Sequence, residues 1–345
     1  MSDAGGKSAW AFELAPAVGV LKALAEPTRL RILVLLSRGE LNVKDLTRIL
    51  GQSQPRISRH LKLLAEAGLV ERAPEGSWVY FRLTERGRGG EISRLILGAV
   101  DTADAVLLRD RKRADEVQHE RQETAQTYFQ AHAGEWDRIR ALHIAEGEVE
   151  AAVSAALGKD PFGLLVDVGT GTGRMLELFA DRYRRGLGLD LNTAMLAFAR
   201  ANLERAGVGH AQVRQADIYD LPLEDASADA LVMHQVLHFL GDPQRAIREA
   251  VRVLAPGGRL LIVDFAPHEL EFLREHYAHE RLGFAAPLVQ QWLTDLGLAV
   301  LAQRDLPPAD DAREAGLTVS IWVAERPQAA ASAGRHGSAR LERIS

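Results

Sequence analysis

The sequence predicts two unlike folding units in one chain: a mostly α-helical N-terminal unit closed by a β-hairpin, and a C-terminal α/β unit built on a parallel sheet. Three observations carry this. A length of 345 residues exceeds what one ordinary domain needs. Four short segments of helical periodicity precede Gly68, and an alternating, hairpin-like stretch follows them. Beyond Gly158, strand-like runs alternate with helical ones.

The composition, 47% apolar and 26% charged, is that of a globular chain. No apolar run approaches the roughly 18 residues of a membrane span. Glu13 and Pro16 break the N-terminal stretch, so neither a secretory leader nor a membrane partner is expected, and the location is expected to be cytoplasmic. Cysteine is absent, which excludes disulfides, Cys-ligated zinc, iron–sulfur clusters and thiol nucleophiles. The net charge of -5 is unevenly spread: residues 1–112 hold 18 Lys and Arg against 13 Asp and Glu, and the remainder is acidic. That asymmetry suits a first unit that meets nucleic acid.

Taken in order, apolar residues from Val18 to Gly39 form two helical segments, with Pro27-Thr28 as stop and new N-cap. Asn42 to Leu50 ends at Gly51, and Ser53 to Ala67 ends at Gly68, a density of short helices typical of a helix-turn-helix. Leu69 to Leu83 alternates around a turn at Pro74 to Ser77 and reads as a wing hairpin. A long helix is expected from about Gly90 to Gln130. Ile92, Leu95, Ile96, Ala99, Val100, Ala103, Val106 and Leu107 form one apolar stripe along it, offered to a second copy of the chain; its charged second half bridges the units. Strands are expected at 164–168, 185–189, 211–215, 228–233, 259–264, 299–304 and 318–324. The resulting division is 1–112 for DNA binding and dimerisation, 113–158 as helical linker and cap, 159–325 as the α/β domain, and 326–345 as a disordered tail.

In the segment Ser53 to Leu64, Ile57, Leu61 and Leu64 supply a buried face. Gln54, Arg56, Ser58, Arg59, His60 and Lys62 are left over, and these residue types read bases and hold phosphates. Arg72 and Arg82 on the hairpin are candidates for the adjacent backbone or minor groove. A basic helix alone would be read as a solvated face; the short helix upstream and the hairpin downstream favour DNA. Leu24-Ala-Glu-Pro-Thr-Arg-Leu-Arg-Ile-Leu, Gly39-Glu-Leu-Asn-Val-Lys-Asp-Leu, Ser53-Gln-Pro-Arg-Ile-Ser-Arg-His-Leu-Lys and Glu66-Ala-Gly-Leu-Val resemble the ArsR/SmtB winged-helix repressors. The resemblance implies a homodimer on an inverted-repeat operator in double-stranded DNA. It also implies release from DNA when an effector binds. The family's metalloid-binding cysteines are replaced by Asn42 and Lys44, and its other metal position offers Asp101 and Asp104 with no histidine before His119. No metal is therefore expected.

Leu164-Leu-Val-Asp-Val-Gly-Thr-Gly-Thr-Gly-Arg places a glycine loop between a strand and a helix, where Gly169, Gly171 and Gly173 let backbone approach a ligand. Such a loop alone does not separate a dinucleotide from a nucleoside. Asp190 ends the next strand, where a carboxylate can accept from ribose hydroxyls. Ala216-Asp217-Ile218 follows the third, where Asp217 can meet an adenine amino group and Ile218 its ring. Residues 160 to 325 resemble the class I methyltransferases, with Leu254-Ala-Pro-Gly-Gly-Arg-Leu-Leu-Ile as a further matching motif. That resemblance implies a Rossmann-like fold with a seven-stranded sheet and an S-adenosylmethionine site. Within that site it gives the methionine moiety to the loop Asp167, Gly169, Thr170, Gly171 and Gly173, the ribose to Asp190, and the adenine to Asp217 and Ile218; Leu191, Ala216 and His234 are further cofactor-binding candidates. Pro256-Gly257-Gly258 is expected to be a structural turn.

The catalytic residues are not legible; His234, Gln235 and His238 follow the fourth strand, with His234 the weak candidate for a base. Arsenite methylation is excluded by the missing cysteines. Glu271, Arg274, His276, His279 and Glu280, on a helix expected over Glu269 to Arg281, have metal-compatible spacing, but a lid or interdomain element is favoured. The leading functional expectation is a repressor whose effector is S-adenosylmethionine or S-adenosylhomocysteine. The alternative is an active small-molecule methyltransferase carrying a regulatory DNA-binding domain.

Overall fold

The computed structural model describes residues 14–75, 78–84, 87–136, 146–158, 160–308 and 316–328. Residues 1–10, Gly76-Ser77 of the expected hairpin turn, and 329–345 of the expected disordered tail lie outside the described residues.

The N-terminal unit begins with α1 (Leu14–Leu24) and α2 (Pro27–Leu36). The expected start of the second helix shifts: Glu26, not Thr28, is the N-cap, accepting from the Arg29 N–H, and Pro27 is the first helical residue. Proline suits that position because its φ is already helical and its missing N–H has no intrahelical partner to lose. A two-residue strand, β1 (Leu41–Asn42), leads into α3 (Val43–Leu50), where Asn42 and Asp45 close a reciprocal capping box and Gly51 ends the helix in the left-handed region. After α4 (Gln54–Glu66), β2 (Val70–Glu75) and β3 (Trp78–Leu83) form the antiparallel hairpin, and β1 adds to the free side of β3. Ile32, Leu33, Leu46, Ile49, Ile57, Leu61 and Leu64 are fully buried at its centre.

The long helix is not continuous. It divides into α5 (Gly87–Ala99) and α6 (Ala105–His132). Asp101 accepts from the Ala103 N–H, and Asp104 caps α6 by accepting from Val106 and Leu107. Two aspartates competing with backbone carbonyls for N–H groups break the helix that periodicity alone predicts. The stripe therefore splits: Ile92 and Ile96 pack on the N-terminal core, Leu107 is buried, and Leu95 remains 64% exposed.

In the C-terminal unit all seven expected strands are present: β4 (Phe162–Val168), β5 (Tyr183–Asp190), β6 (Ala211–Gln215), β7 (Ala228–His234), β8 (Leu254–Phe265), β9 (Ala299–Leu306) and β10 (Val319–Glu325). Pro256-Gly257-Gly258 falls inside β8, beside a register irregularity at Ala228 to Ala230. The sheet order is β6-β5-β4-β7-β8-β10-β9. The sheet is mixed, not wholly parallel: β10 runs antiparallel to both neighbours. Alternate residues fill opposite faces: Leu165, Ala230, Val232, Leu261 and Val263 lie with the helices Glu146–Ala156 and Thr193–Arg205. Val166, Leu231, Met233, Leu260 and Ile262 lie with Pro243–Val253 and Ala286–Asp295. The expected helix over Glu269 to Arg281 shortens to Phe272–His276, since Ala278 adopts a positive φ of 57° and the chain leaves helical geometry there.

Candidate functional site

Strands β4, β5, β6 and β7 are mutually parallel, so their C-terminal ends share one sheet edge. β4 pairs with β5 on one side and β7 on the other, which makes this edge a topological switch point where loops diverge and open a crevice. A cavity lies there, walled by Asp167, Gly169, Thr170, Gly171, Asp190, Leu191, Ala216, Asp217, Ile218 and His234. Gly173 is the one expected residue outside that wall. Its φ is 85°, and a Cβ there would sit 3.2 Å from the Ala199 Cβ, so it serves helix packing. Gly169 has a φ of 75°, and a Cβ would fall 2.5 Å from Val236 Cγ2.

The loop is held by the residues expected to bind ligand. Thr170 Oγ1 donates to Asp167 Oδ2 at 2.6 Å. Asp190 Oδ2 accepts from Gly171 N at 2.9 Å and Oδ1 from Asn192 N at 2.8 Å. Each of these oxygens keeps a second lone pair, so two ribose hydroxyls can still be accepted. Burial pushes the Asp190 carboxyl above its ordinary pKa. Asp217 Oδ1 accepts from Tyr219 N at 3.0 Å, a turn that leaves Ile218 against the cavity. Helix α6 supplies a wall that strand-end reasoning missed: Gln122, Ala125, Gln126 and Phe129, joined by Trp136. Phe129 meets Trp136 and Phe239 edge to face at 5.3 and 4.8 Å. The aromatics at 128, 129 and 136 lie in the segment expected to be helical linker and cap, and no strand-end motif marks them.

The histidines after β7 differ. His234 ends the strand at the cavity wall, whereas His238 is buried with Nδ1 2.8 Å from Asp264 Oδ1. Among the described residues no cluster of three His, Asp or Glu could hold a metal. Asn42, Asp101 and Asp104 are spent on backbone caps and turns.

On α4, Gln54, Arg56, Ser58, Arg59 and Lys62 lie on the exposed face opposite Ile57, Leu61 and Leu64. His60 turns inward instead, with Nδ1 3.6 Å from Glu26 Oε2, and burial lowers its pKa. On the hairpin Arg72 is exposed, but Arg82 is engaged: its Nε and Nη2 donate to Glu71.

The units meet through a dense polar seam. Arg281 is buried over the Tyr80 ring, 2.7 Å from Glu40 and 3.5 Å from Glu75, and Arg274 donates to Glu75 at 2.7 Å. Arg121 on α6 joins Asp45 of α3 to Glu280.

Residues 26–72 match the bacterial regulatory protein arsR family, and residues 166–262 match a methyltransferase domain family. The arsenical resistance operon repressor of Escherichia coli is 53% identical over 68 residues, covering 19% of this chain and 58% of that protein. The demethylmenaquinone methyltransferase of Thermus thermophilus is 36% identical over 118 residues, covering 34% of this chain and 53% of that protein. A chain in the complex between the Haloferax volcanii Trm112 methyltransferase activator and a methyltransferase superposes with a TM-score of 0.51 at 23% identity, over 60% of this chain and 99% of its own. That likeness concerns the fold. The chain spans about half the length of these curated relatives. It thus joins a region that matches the arsR regulatory family to one that matches a methyltransferase domain.

Proposed function

We propose that this is a dimeric transcriptional repressor in which S-adenosylmethionine or S-adenosylhomocysteine, bound at the β4–β7 edge, controls binding to an inverted-repeat operator. The observation that carries the reading is the course of α6. Its first half braces the DNA-reading unit, with Asp110 bidentate to Arg31, Val117 in the N-terminal core, and Arg113 donating to Ile49 O. Its second half walls the cavity at Gln122, Ala125, Gln126 and Phe129. A ligand that moves this wall acts on the reading head through one rigid helix, the kind of shared element that coupling between two sites requires.

The cavity suits the nucleoside. Asp190 retains acceptor capacity for a ribose, Asp217 and Ile218 stand where an adenine would lie, and Gly169 has no room for a side chain. When bound, S-adenosylmethionine supplies an electrophilic methyl group. Among the residues expected to meet DNA, Gln54, Arg56, Ser58, Arg59, Lys62 and Arg72 are open to a duplex; His60 and Arg82 are already engaged within the unit. The dimer surface we assign is Leu14 and Leu21 of α1, 82% and 65% exposed, with Leu95 of α5, both helices packing on α2. Similarity to a named repressor supports the regulatory role, and the absence of cysteine argues against a thiol-bound arsenical as effector.

The deciding experiment titrates each nucleoside onto the full-length protein bound to DNA from upstream of its own gene. Operator affinity is expected to change with saturable nucleoside binding. Constant operator affinity across a titration in which nucleoside binds would overturn the sensor reading. A second reading, small-molecule methyl transfer, is favoured by the smaller cavity described next.

A further inference from the structure

Beside the nucleoside cavity lies a second, smaller one that shares Trp136, Gln235 and Phe239 with it. Its remaining aromatic wall is Tyr128, Phe265, Tyr277 and His279, and none of its described wall residues carries a fixed charge. Such a lining rewards a flat, uncharged ring by stacking and edge-to-face contact. His238 forms part of the same wall. Its Nδ1 is committed to Asp264 Oδ1, and Nε2 makes no hydrogen bond among the described residues. Asp264 is fully buried and also accepts from the backbone N–H of Leu237, at 2.9 Å, and of Phe265, at 2.8 Å. Both Asp264 oxygens are thus turned to N–H donors, so Nδ1 is the ring nitrogen that donates to it and Nε2 is the basic nitrogen.

We infer that this cavity is an acceptor subsite for an uncharged ring compound bearing one weakly acidic hydroxyl, with His238 Nε2 as its general base and Asp264 as the positioning residue. The inference rests on the nucleoside reading of the larger cavity. In the reaction it assigns, the acceptor's O–H bond and the sulfonium donor's S–CH3 bond break and an O–CH3 bond forms. The S–C electron pair stays on sulfur, and the proton ends on Nε2. A base within reach of the hydroxyl is what such a transfer needs beyond orientation.

The test uses full-length protein, S-adenosylhomocysteine and 4-nitrophenol, whose phenolate absorbs at longer wavelength than the phenol. Nucleoside binding is measured first, without the probe: its failure overturns the reading of the larger cavity. Nucleoside binding without saturable probe binding overturns the subsite alone. At a pH below the free probe's own pKa, the wild type is expected to hold it as phenolate. His238→Asn keeps an amide able to donate to Asp264 but has nothing at the place of Nε2. It is expected to bind the probe and leave it protonated, and an unchanged phenolate band removes His238 as the base. Nitrogen spectra of 15N-histidine-labelled wild type decide independently of any variant. Nε2 of His238 is expected unprotonated, and an Nε2–H tautomer overturns the assignment. Asp264→Asn is expected to convert that tautomer and abolish the phenolate band; an unmoved tautomer removes Asp264 as the positioning residue.

Discussion

Arg59 and Arg281 are the same residue type in opposite situations. Arg56 and Arg59 stand in solvent on α4 and make no ion pair among the described residues, while Arg281 is buried at the seam between Glu40, Glu75 and the Tyr80 ring. An exposed arginine asks nothing of the fold and keeps its five donors for a partner. A buried one is bound into the fold by the cost of leaving its carboxylates unmatched. Burial, not residue identity, separates the residues proposed to meet DNA from those that hold the hairpin to the sheet domain.

The largest effect should come from breaking the buried member. Arg281→Leu leaves Glu40 and Glu75 without their shared cation and should destabilise the protein by about 3–5 kcal/mol. The loss would be read as a lower denaturant midpoint, with the seam opening to protease. Retention of wild-type stability would show that the seam is solvated. Next, Asp190→Ala removes a ribose acceptor and two loop contacts and should raise the nucleoside dissociation constant about tenfold to hundredfold, or roughly 1.5–3 kcal/mol. By linkage, the operator response should shift to higher nucleoside concentration by the same factor. Calorimetry beside operator titration checks both. The exposed members come third: Arg56→Ala or Arg59→Ala should each cost about 1–3 kcal/mol of specific operator binding with nucleoside affinity unchanged. Full-affinity variants at both positions would remove α4 as the reading helix.

The same contrast explains what was legible in the sequence. Every strand of the seven-stranded sheet was, because its central parallel strands write long apolar runs, whereas the two-residue β1 was not; Asp190 and Asp217 were legible because strand ends converge wherever parallel strands share an edge. The break at Val100 to Asp104 was not: apolar periodicity continues through it, and the stop lies in the side-chain hydrogen bonds of Asp101 and Asp104. The inward turn of His60 toward Glu26 was equally hidden, since it depends on two helices crossing. The α6 wall of the cavity and the His238–Asp264 pair are tertiary facts, made by residues 26 apart or more in the chain. No local pattern announces them.

The smallest effect concerns a half-buried histidine of the sheet domain, and it distinguishes burial from pairing as the source of acid sensitivity. His268 Nδ1 accepts from the Leu270 N–H at 3.3 Å, a bond that only an unprotonated Nδ1 can take. Burial, reinforced by His238 and Arg274, lowers its pKa to about 4. In the unfolded chain it titrates near 6.5, as an unperturbed imidazole does. Between those values the unfolded state binds more protons than the folded one, so stability is full above about 6.5 and falls as the pH drops toward about 4. The expected slope from this group is at most one proton. His268→Gln should lessen the decline of thermal stability over that window by the same proton while leaving Arg56 and Arg59 free to bind operator. If the pH dependence of the variant parallels that of the wild type, His268 takes up its proton equally in the folded and unfolded chain, and the acid sensitivity of this region has another source.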